Sequence, residues 1–311
     1  FACGEAGPGF LPCSAWNEMR REALDKLLQK RSEPAPLATK EITLPEYAEH
    51  EVGMIPQLAA RFETAAQLPG AEYLAKLRYL ILPIRGADAV PQPLRWKTLL
   101  EVPRAAVGTV EPDTMRRLAA LEGSGFAGVV ANNLAQFGYA SPLPVFGGLG
   151  LNVTNPMSAA EYVCLGACGL LVQPETALTA MRAVAPRQKD GTPVPTAALC
   201  YGHLPLMLTR ACPLRNVRTS CAGCTHKGKL RDRKGRDFPV RCSAPGSAGM
   251  RTVFNPVPLY MGDRLTEMPV DLAVAAFTLE PADRVEEVLT HLFHQQPFDG
   301  EFTRGLYYTN N

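Results

Sequence analysis

The chain has 311 residues, 46% hydrophobic and 20% charged, with 32 Lys and Arg against 30 Asp and Glu. That size and composition support one large folded domain and exclude a chain that is disordered throughout. The net charge of +2 sets up no overall field for polyanions, so any nucleic-acid contact has to come from a local patch. No apolar run approaches the ~20 residues needed to span a bilayer, so no membrane segment is expected. Residues 1–10 lack the basic start and apolar core of a signal peptide. Nine cysteines, an odd number, suit a disulfide framework poorly and point to a reducing cytoplasm. The chain begins without Met and reads as a fragment or a processed product.

In chain order, residues 1–13 are rich in Gly, Pro and Ala and read as a tail. Residues 14–31 read as a helix capped by Ser14, with Trp16, Met19, Ala23, Leu24 and Leu27 as an apolar stripe. Pro34, Pro36 and Pro45 mark a linker, which ends an N-terminal segment of residues 1–45. From residue 46 to 311, short apolar runs alternate with helical stretches. Strands are expected at 59–63, 79–84, 99–102, 128–132, 144–152, 169–173, 196–199 and 272–277. Helices are expected at 111–121, with Pro112 in the first turn, at 158–165 and at 281–295. Eight such repeats predict an α/β fold, a TIM-like (β/α)8 barrel, over an open doubly wound sheet.

The stretch 205–258 breaks the repeat between the seventh strand and the last. It reads as a cysteine-rich insertion with little regular structure, folded around a metal. Its spacing is Cys212-x8-Cys221-x2-Cys224-x17-Cys242. A Cys-x2-Cys pair sets two thiolates on one tight turn, and two flanking cysteines complete four ligands. Four thiolates suit tetrahedral zinc and a cubane iron–sulfur cluster alike. His226 is a reserve ligand. Cys164 and Cys168, spaced i, i+4 in an apolar segment, and Cys200, at the end of an apolar strand, read as small buried hydrophobes. Cys3 and Cys13 fall in the N-terminal segment without assignment. The run 226–236 is basic and suits RNA phosphates; its plainer reading is a solvated turn at Lys234-Gly235 between two strands, its charge diluted by Asp232 and Asp237.

Chemistry in such a barrel sits where strands end. The candidates there are Arg61, Glu63, Arg104, Asn132, Asn133, Asn152, Asn155, Glu175 and His203, for small-molecule binding or acid–base work. The plain alternative is that the asparagines serve turns and the Arg–Glu pair closes a rim. Neither His-Glu-x-x-His nor Gly-x-Ser-x-Gly occurs, so protease chemistry has little sequence support.

Several blocks together resemble the collagenase-like peptidase family U32. They are Tyr201-Gly-His-Leu-Pro-Leu-Met-Leu-Thr-Arg-Ala-Cys-Pro213, Cys221-Ala-Gly-Cys224, the run from Leu230 to Cys242, and Asn255-Pro-Val-Pro-Leu259. Upstream, Leu151-Asn-Val-Thr-Asn155 and Gln173-Pro-Glu175 resemble that family's inner strand ends. The helix from Trp16 to Leu24 resembles the segment before the C-terminal barrel of its long bacterial members. The resemblance implies a TIM-type barrel carrying a 4Fe–4S cluster on Cys212, Cys221, Cys224 and Cys242, with zinc as the alternative. It implies oxygen-independent hydroxylation of an RNA base (ribosomal or transfer RNA) or of a ubiquinone precursor, with a small-molecule oxygen donor, prephenate in some members. Glu175, His203, Asn155 and Arg104 are the catalytic candidates. The family's older label implies a peptidase, and a non-catalytic barrel with a structural cluster or zinc is a third expectation. The Ser-Gly-Arg-Cys type block of the family's N-terminal barrels is not found. The chain also looks like the second half of a longer protein, with an upstream barrel as partner.

Overall fold

A computed structural model describes residues 11–34, 47–51, 53–139, 143–215, 221, 223–243 and 249–309. Cys3, most of the N-terminal tail and most of the Pro-rich linker lie outside the described residues. The chain divides into two units, Phe1–Glu46 and Tyr47–Asn311. In the first, α1 (Cys13–Ser32) is a helix of 20 residues, none of them buried. Lys30 and Arg31 in its last turn favour the negative end of the helix dipole.

The second unit is built on parallel strands. They are β1 (Gln57–Phe62), β2 (Leu80–Pro83), β3 (Thr98–Glu101), β4 (Gly128–Ala131), β5 (Val145–Gly147), β6 (Ala167–Leu171) and β7 (Thr196–Gly202). Four strands of the insertion follow: β8 (Pro205–Thr209), β9 (Lys227–Arg231), β10 (Asp237–Cys242) and β11 (Arg251–Phe254). Then come β12 (Leu259–Tyr260) and β13 (Leu272–Phe277). The order β7-β13-β1-β2-β3-β4-β5-β6 closes by pairing of β6 with β7, through Leu170↔Thr196 and Leu171↔Ala197. This is an eight-stranded parallel barrel, not an open sheet. β12 adds to β7 antiparallel.

All eight expected barrel strands are present. Parallel strands are covered on both faces, so they read as near-continuous apolar runs, as Leu80–Pro83 and Leu272–Phe277 do. The run expected at 144–152 is only half strand. After Gly147 the chain makes a 3₁₀ turn, and Asn152 ends it in the left-handed conformation (φ 52°, ψ 47°). Between the strands run α2 (Ala71–Lys76), α3 (Val110–Ala120), α4 (Pro156–Cys164) and α5 (Leu178–Met181), and α6 (Ala282–Phe293) follows β13. The β2–β3 and β4–β5 connections carry 3₁₀ turns in place of full helices. α6 buries Val285, Val288, Leu289 and Leu292, an i, i+3, i+4, i+7 stripe that docks it on the barrel. Among the described residues no helix is long and apolar enough to cross a membrane.

The insertion corrects one expectation. It has regular structure: β8-β11-β10-β9, a four-stranded antiparallel sheet. Hydrogen bonds between its own strands order much of it. Cys164 and Cys168 are a second correction. Cys164 ends α4 and Cys168 lies on β6 beyond a Gly166 turn (φ 99°), and both are exposed. The i, i+4 spacing therefore spans a helix end and not a helix face. Cys200 is fully buried, as expected.

At the ends of β4 and β5 the packing leaves no space for a side chain at Gly150, where a Cβ would overlap the carbonyl oxygen of Asn132. Gly150→Ala is expected to lower stability by about 2 kcal/mol, because backbone has to move to admit the methyl group. Thermal unfolding of the variant against the parent measures this.

Candidate functional site

Alternate residues along the barrel strands face inward, and several are small: Ala59, Gly169, Ala197 and Ala276. They leave a cavity of about 690 Å³. A TIM barrel is ordinarily filled by layers of branched side chains. Here the floor is aromatic and aliphatic, with Tyr79 against Phe146 (ring centroids 5.7 Å apart) beside Ile81 and Leu99. The roof is the antiparallel sheet, which contributes Leu208, Arg241, Cys242, Ser243, Thr252 and Phe254 to the cavity wall. The insertion thus covers the C-terminal mouth of the barrel, where barrel chemistry is found.

A charged ring lines that mouth. Arg61, near the end of β1, donates from Nε and Nη2 to Glu101 Oε2 (3.0 and 2.8 Å) and from Nη1 to Glu63 Oε2 (2.7 Å). Burial works against the Arg61 charge. Glu101 and Glu63 overcome it and hold the guanidinium ionised above its ordinary range. Arg85 pairs with the other oxygen of Glu63 and donates to the carbonyl oxygen of Ser243 (2.7 Å), which ties rim to roof. Asn132 is buried: its amide donates to Val102 O (3.1 Å) and its Oδ1 accepts from Gly150 N–H (3.0 Å). It staples the ends of three neighbouring strands. Asn133 caps a 3₁₀ turn, and Asn152 accepts from Gln173.

Of the four catalytic candidates, the cavity receives Arg104 and His203. Arg104 lies exposed at the rim with no ion pair or hydrogen bond among the described residues. His203, between β7 and β8, has Nδ1 2.7 Å from Asn255 O, so Nδ1 carries the proton. Its Nε2 faces Glu280 Oε1 at 3.9 Å. Asn155 and Glu175 are exposed and do not line the cavity. Asn155 caps α4 by accepting from Ser158 N–H (2.9 Å), the turn role asparagine commonly takes.

Sequence reading missed Glu280, Tyr201, Arg241 and Thr278. Glu280 is a buried carboxylate that accepts from Tyr201 Oη (2.9 Å) and from the N–H groups of Thr278 and Leu279 (both 2.9 Å). Burial, with Glu280 alongside, pushes the Tyr201 phenol up, so it stays a donor. Gln67 links the ends of β1 and β13 by donating to Glu280 O (2.7 Å). Burial pulls the Arg241 guanidinium down, against Glu63 and Glu280. Glu280 sits just past the eighth barrel strand and before the Pro281 that opens α6, and that position was the available signal.

The cysteines take their places from the strand register. Thr209 at the end of β8 pairs with Arg251, Arg251 with Cys242, and Arg241 with Lys227. These four strand ends share one end of the sheet. Cys212 lies just beyond β8, Cys224 just before β9, and Cys242 closes β10. Cys224 N–H donates to Cys221 O (3.1 Å) and closes the Cys-x2-Cys turn. His226 N–H donates to Cys224 Sγ (3.4 Å), and Cys242 N–H to His226 O (2.9 Å). Leu214 fills the space over Gly228 and draws in the Cys212 segment. Cys221 is exposed and the other three are half-buried. Among the described residues no three Cys, His, Asp or Glu side chains close on one metal ion. The donor set suits a thiolate-bound cluster or zinc in kind, and the backbone gathers it at one end of one sheet.

The basic run takes its plainer form. β9 and β10 make a hairpin, and Asp232 accepts from Lys234 and Arg236 N–H in the turn. Asp237 pairs with Lys229 and Arg231, whose hydrogen bonds, Arg231's first, hold its carboxyl well below the usual range. Cys200 is fully buried, and burial pushes its thiol up.

No family model and no curated protein matches the chain. Among solved structures it is similar to the U32 peptidase Mk0906, at 11% identity and a TM-score of 0.42, over 79% of this chain and 100% of that one. It is also similar to the spore cortex-lytic enzyme SleL of Bacillus cereus (10% identity, TM-score 0.32, 81% of this chain and 77% of that one). SleL of Bacillus megaterium gives 11% identity and a TM-score of 0.28, over 92% of this chain and 85% of that one. Likeness at this level is a likeness of chain trace, and the barrel stands on its own strand register.

Removing the Arg61 guanidinium would leave two carboxylates facing each other at the mouth. Arg61→Ala is expected to cost roughly 2–4 kcal/mol in urea unfolding, with Arg61→Lys recovering only part because it lacks the fork that reaches both acids.

Proposed function

We infer that the chain is a barrel of the U32 type that holds a 4Fe–4S cluster on Cys212, Cys221, Cys224 and Cys242 and acts in oxygen-independent hydroxylation of an RNA base. The observation that carries this reading is the double membership of Cys242. It belongs to the cysteine end of the roof sheet and also to the wall of the barrel cavity. Such a cluster supplies one-electron chemistry when bound.

The protein's own groups have definite parts beside it. The cavity encloses the small-molecule oxygen donor and excludes water. His203, its Nδ1–H fixed on Asn255 O, presents Nε2 for proton transfer, and Arg104 steers a charged substrate to the mouth. On this reading the hairpin offers Lys227, Arg233, Lys234 and Arg236 to RNA phosphates, while Lys229 and Arg231 stay with Asp237. An upstream barrel completes the working protein, in a reducing cytoplasm where thiolates persist. Nothing in the site favours the peptidase reading: no serine or cysteine hydroxyl or thiol is hydrogen-bonded to His203 among the described residues.

Anaerobic purification is expected to give a brown protein with about four irons per chain, and Cys224→Ser is expected to lose them. A colourless protein with a single zinc would replace this reading with the structural-zinc barrel. In cells, deletion of the gene is expected to remove one hydroxylated nucleoside from ribosomal or transfer RNA. An unchanged nucleoside profile by mass spectrometry would end the hydroxylation reading while leaving the cluster standing.

A further inference from the structure

A second cavity, of about 410 Å³, lies beside the end of β7. It is a more open cleft, lined by Tyr201, Glu280, Arg284 and Phe298 and by the exposed Asp299 and Glu301. Among the described residues His203 alone lines both this cleft and the barrel cavity. Glu280 lines the cleft and not the barrel cavity. An imidazole in the wall between two spaces is placed to exchange a proton with either, and histidine is the side chain whose charge changes most readily near neutral pH.

The ring is held so that only one atom can serve. Its Nδ1–H is committed to Asn255 O (2.7 Å), which leaves Nε2 to take up a proton. Glu280 Oε1 faces Nε2 at 3.9 Å. The neutral ring has no proton on Nε2 to offer, so no hydrogen bond forms at that distance. A protonated Nε2 is a cationic donor, and a movement of about 1 Å brings it into a charge-assisted hydrogen bond with Oε1. Glu280 is fixed for that part. Its Oε2 accepts the N–H groups of Thr278 and Leu279, and its Oε1 accepts Tyr201 Oη, which leaves Oε1 one acceptor site. Burial, with Glu280 alongside, keeps Tyr201 a phenol. Two arginines also face the pair. Arg241 on β10 is drawn to Glu63 and Glu280 together, and Arg284 on α6 pairs with Glu287 and lies over the Phe298 ring. Among the described residues neither guanidinium is hydrogen-bonded to Glu280 or His203.

We propose that Glu280 is the positioning residue of a proton route through His203, which leads from the barrel cavity to the outer cleft. Nε2 takes a proton from a group in the cavity, its lone pair forming the N–H bond. That bond then breaks toward Glu280 Oε1, which restores the neutral imidazole and leaves a carboxylic acid. Water in the cleft takes the proton and restores the carboxylate. One proton has crossed the wall, and both residues are back in their starting forms. The route rests on the reading of His203 as the group that transfers protons in the cavity, and it needs no cluster.

The test follows the His203 ring by NMR in the full chain labelled with nitrogen-15 histidine, its signals assigned by their loss in His203→Gln. Spectra are taken at about pH 6.5, where an ordinary histidine is half protonated. Glu280→Gln is expected to lower the fraction of rings carrying both protons at least about threefold, because the facing charge is gone. Exchange of the Nε2 proton with water, read by saturation transfer, is expected to slow severalfold in the same variant, because an amide cannot carry the proton on. Tyr201→Phe frees Oε1 from its other donor and is expected to raise the doubly protonated fraction. A residue that only held the fold together would not move the ring in opposite directions in the two variants. An unchanged fraction or an unchanged exchange rate in Glu280→Gln would overturn the route, as would a fraction that stays level or falls in Tyr201→Phe. If Glu280→Gln does not fold, the Tyr201→Phe result decides. These signals come from the resting protein, so a failure of the hydroxylation reading, seen in the nucleoside profile, is separate from a failure of the route.

Discussion

A single guanidinium held by two carboxylates governs the mouth of this barrel. Arg61 reaches across from β1 to Glu101 on β3 while also holding Glu63, the residue just past its own strand, and so spans the intervening β2. Burying that much charge is tolerable only because every charge is paired. Once Glu63 is engaged on one oxygen, its other oxygen orients Arg85, and Arg85 in turn reaches the backbone of the roof. An ion-pair chain that starts inside the barrel thus ends on the backbone of the antiparallel sheet above it. The small residues beneath, Ala59, Gly169, Ala197 and Ala276, keep the space under that chain open.

The roof has two jobs that share one strand. β10 supplies Arg241 to the cavity and Cys242 to both the cavity and the cysteine end. The register that sets Cys242 opposite Arg251 also brings Cys212, Cys221 and Cys224 to the same sheet end. Under the cluster reading, whatever occupies the cavity lies against one of the four ligands. In the hairpin Lys229 and Arg231 pair with Asp237, and the turn that carries Arg233, Lys234 and Arg236 sits at the far end of β9 and β10.

The barrel was legible because buried parallel strands leave an unmistakable trace, short runs such as Gly128-Val-Val-Ala131 separated by polar turns. The roof was not. β9 is Lys-Gly-Lys-Leu-Arg, a strand exposed along much of its length, and its stability comes from ladder bonds that composition does not reveal. The ring at the mouth was half legible. Arg61 and Glu63 stood out at a strand end, but their partner Glu101 lies 40 residues on, and only closure of the barrel joins them. Asn155 and Glu175 were placed by pattern at strand ends, yet the chain uses the first as a helix cap and turns the second to solvent. Cys164 and Cys168 misled because a Gly turn between them breaks the helical phase.

The insertion leaves the barrel just after β7, at His203 and Leu204, and returns beside the same strand when β12 pairs with β7. Both of its covalent attachments are thus on one side of the mouth, like the two leaves of a door hinge. The contact from Arg85 to Ser243 lies three strands round the barrel, past β13 and β1 on β2's side. It is placed as a latch is placed on a door. Chain connectivity thus ties the roof covalently on β7's side alone, and on β2's side it is the ion pairs of the rim, through Arg85, that reach it.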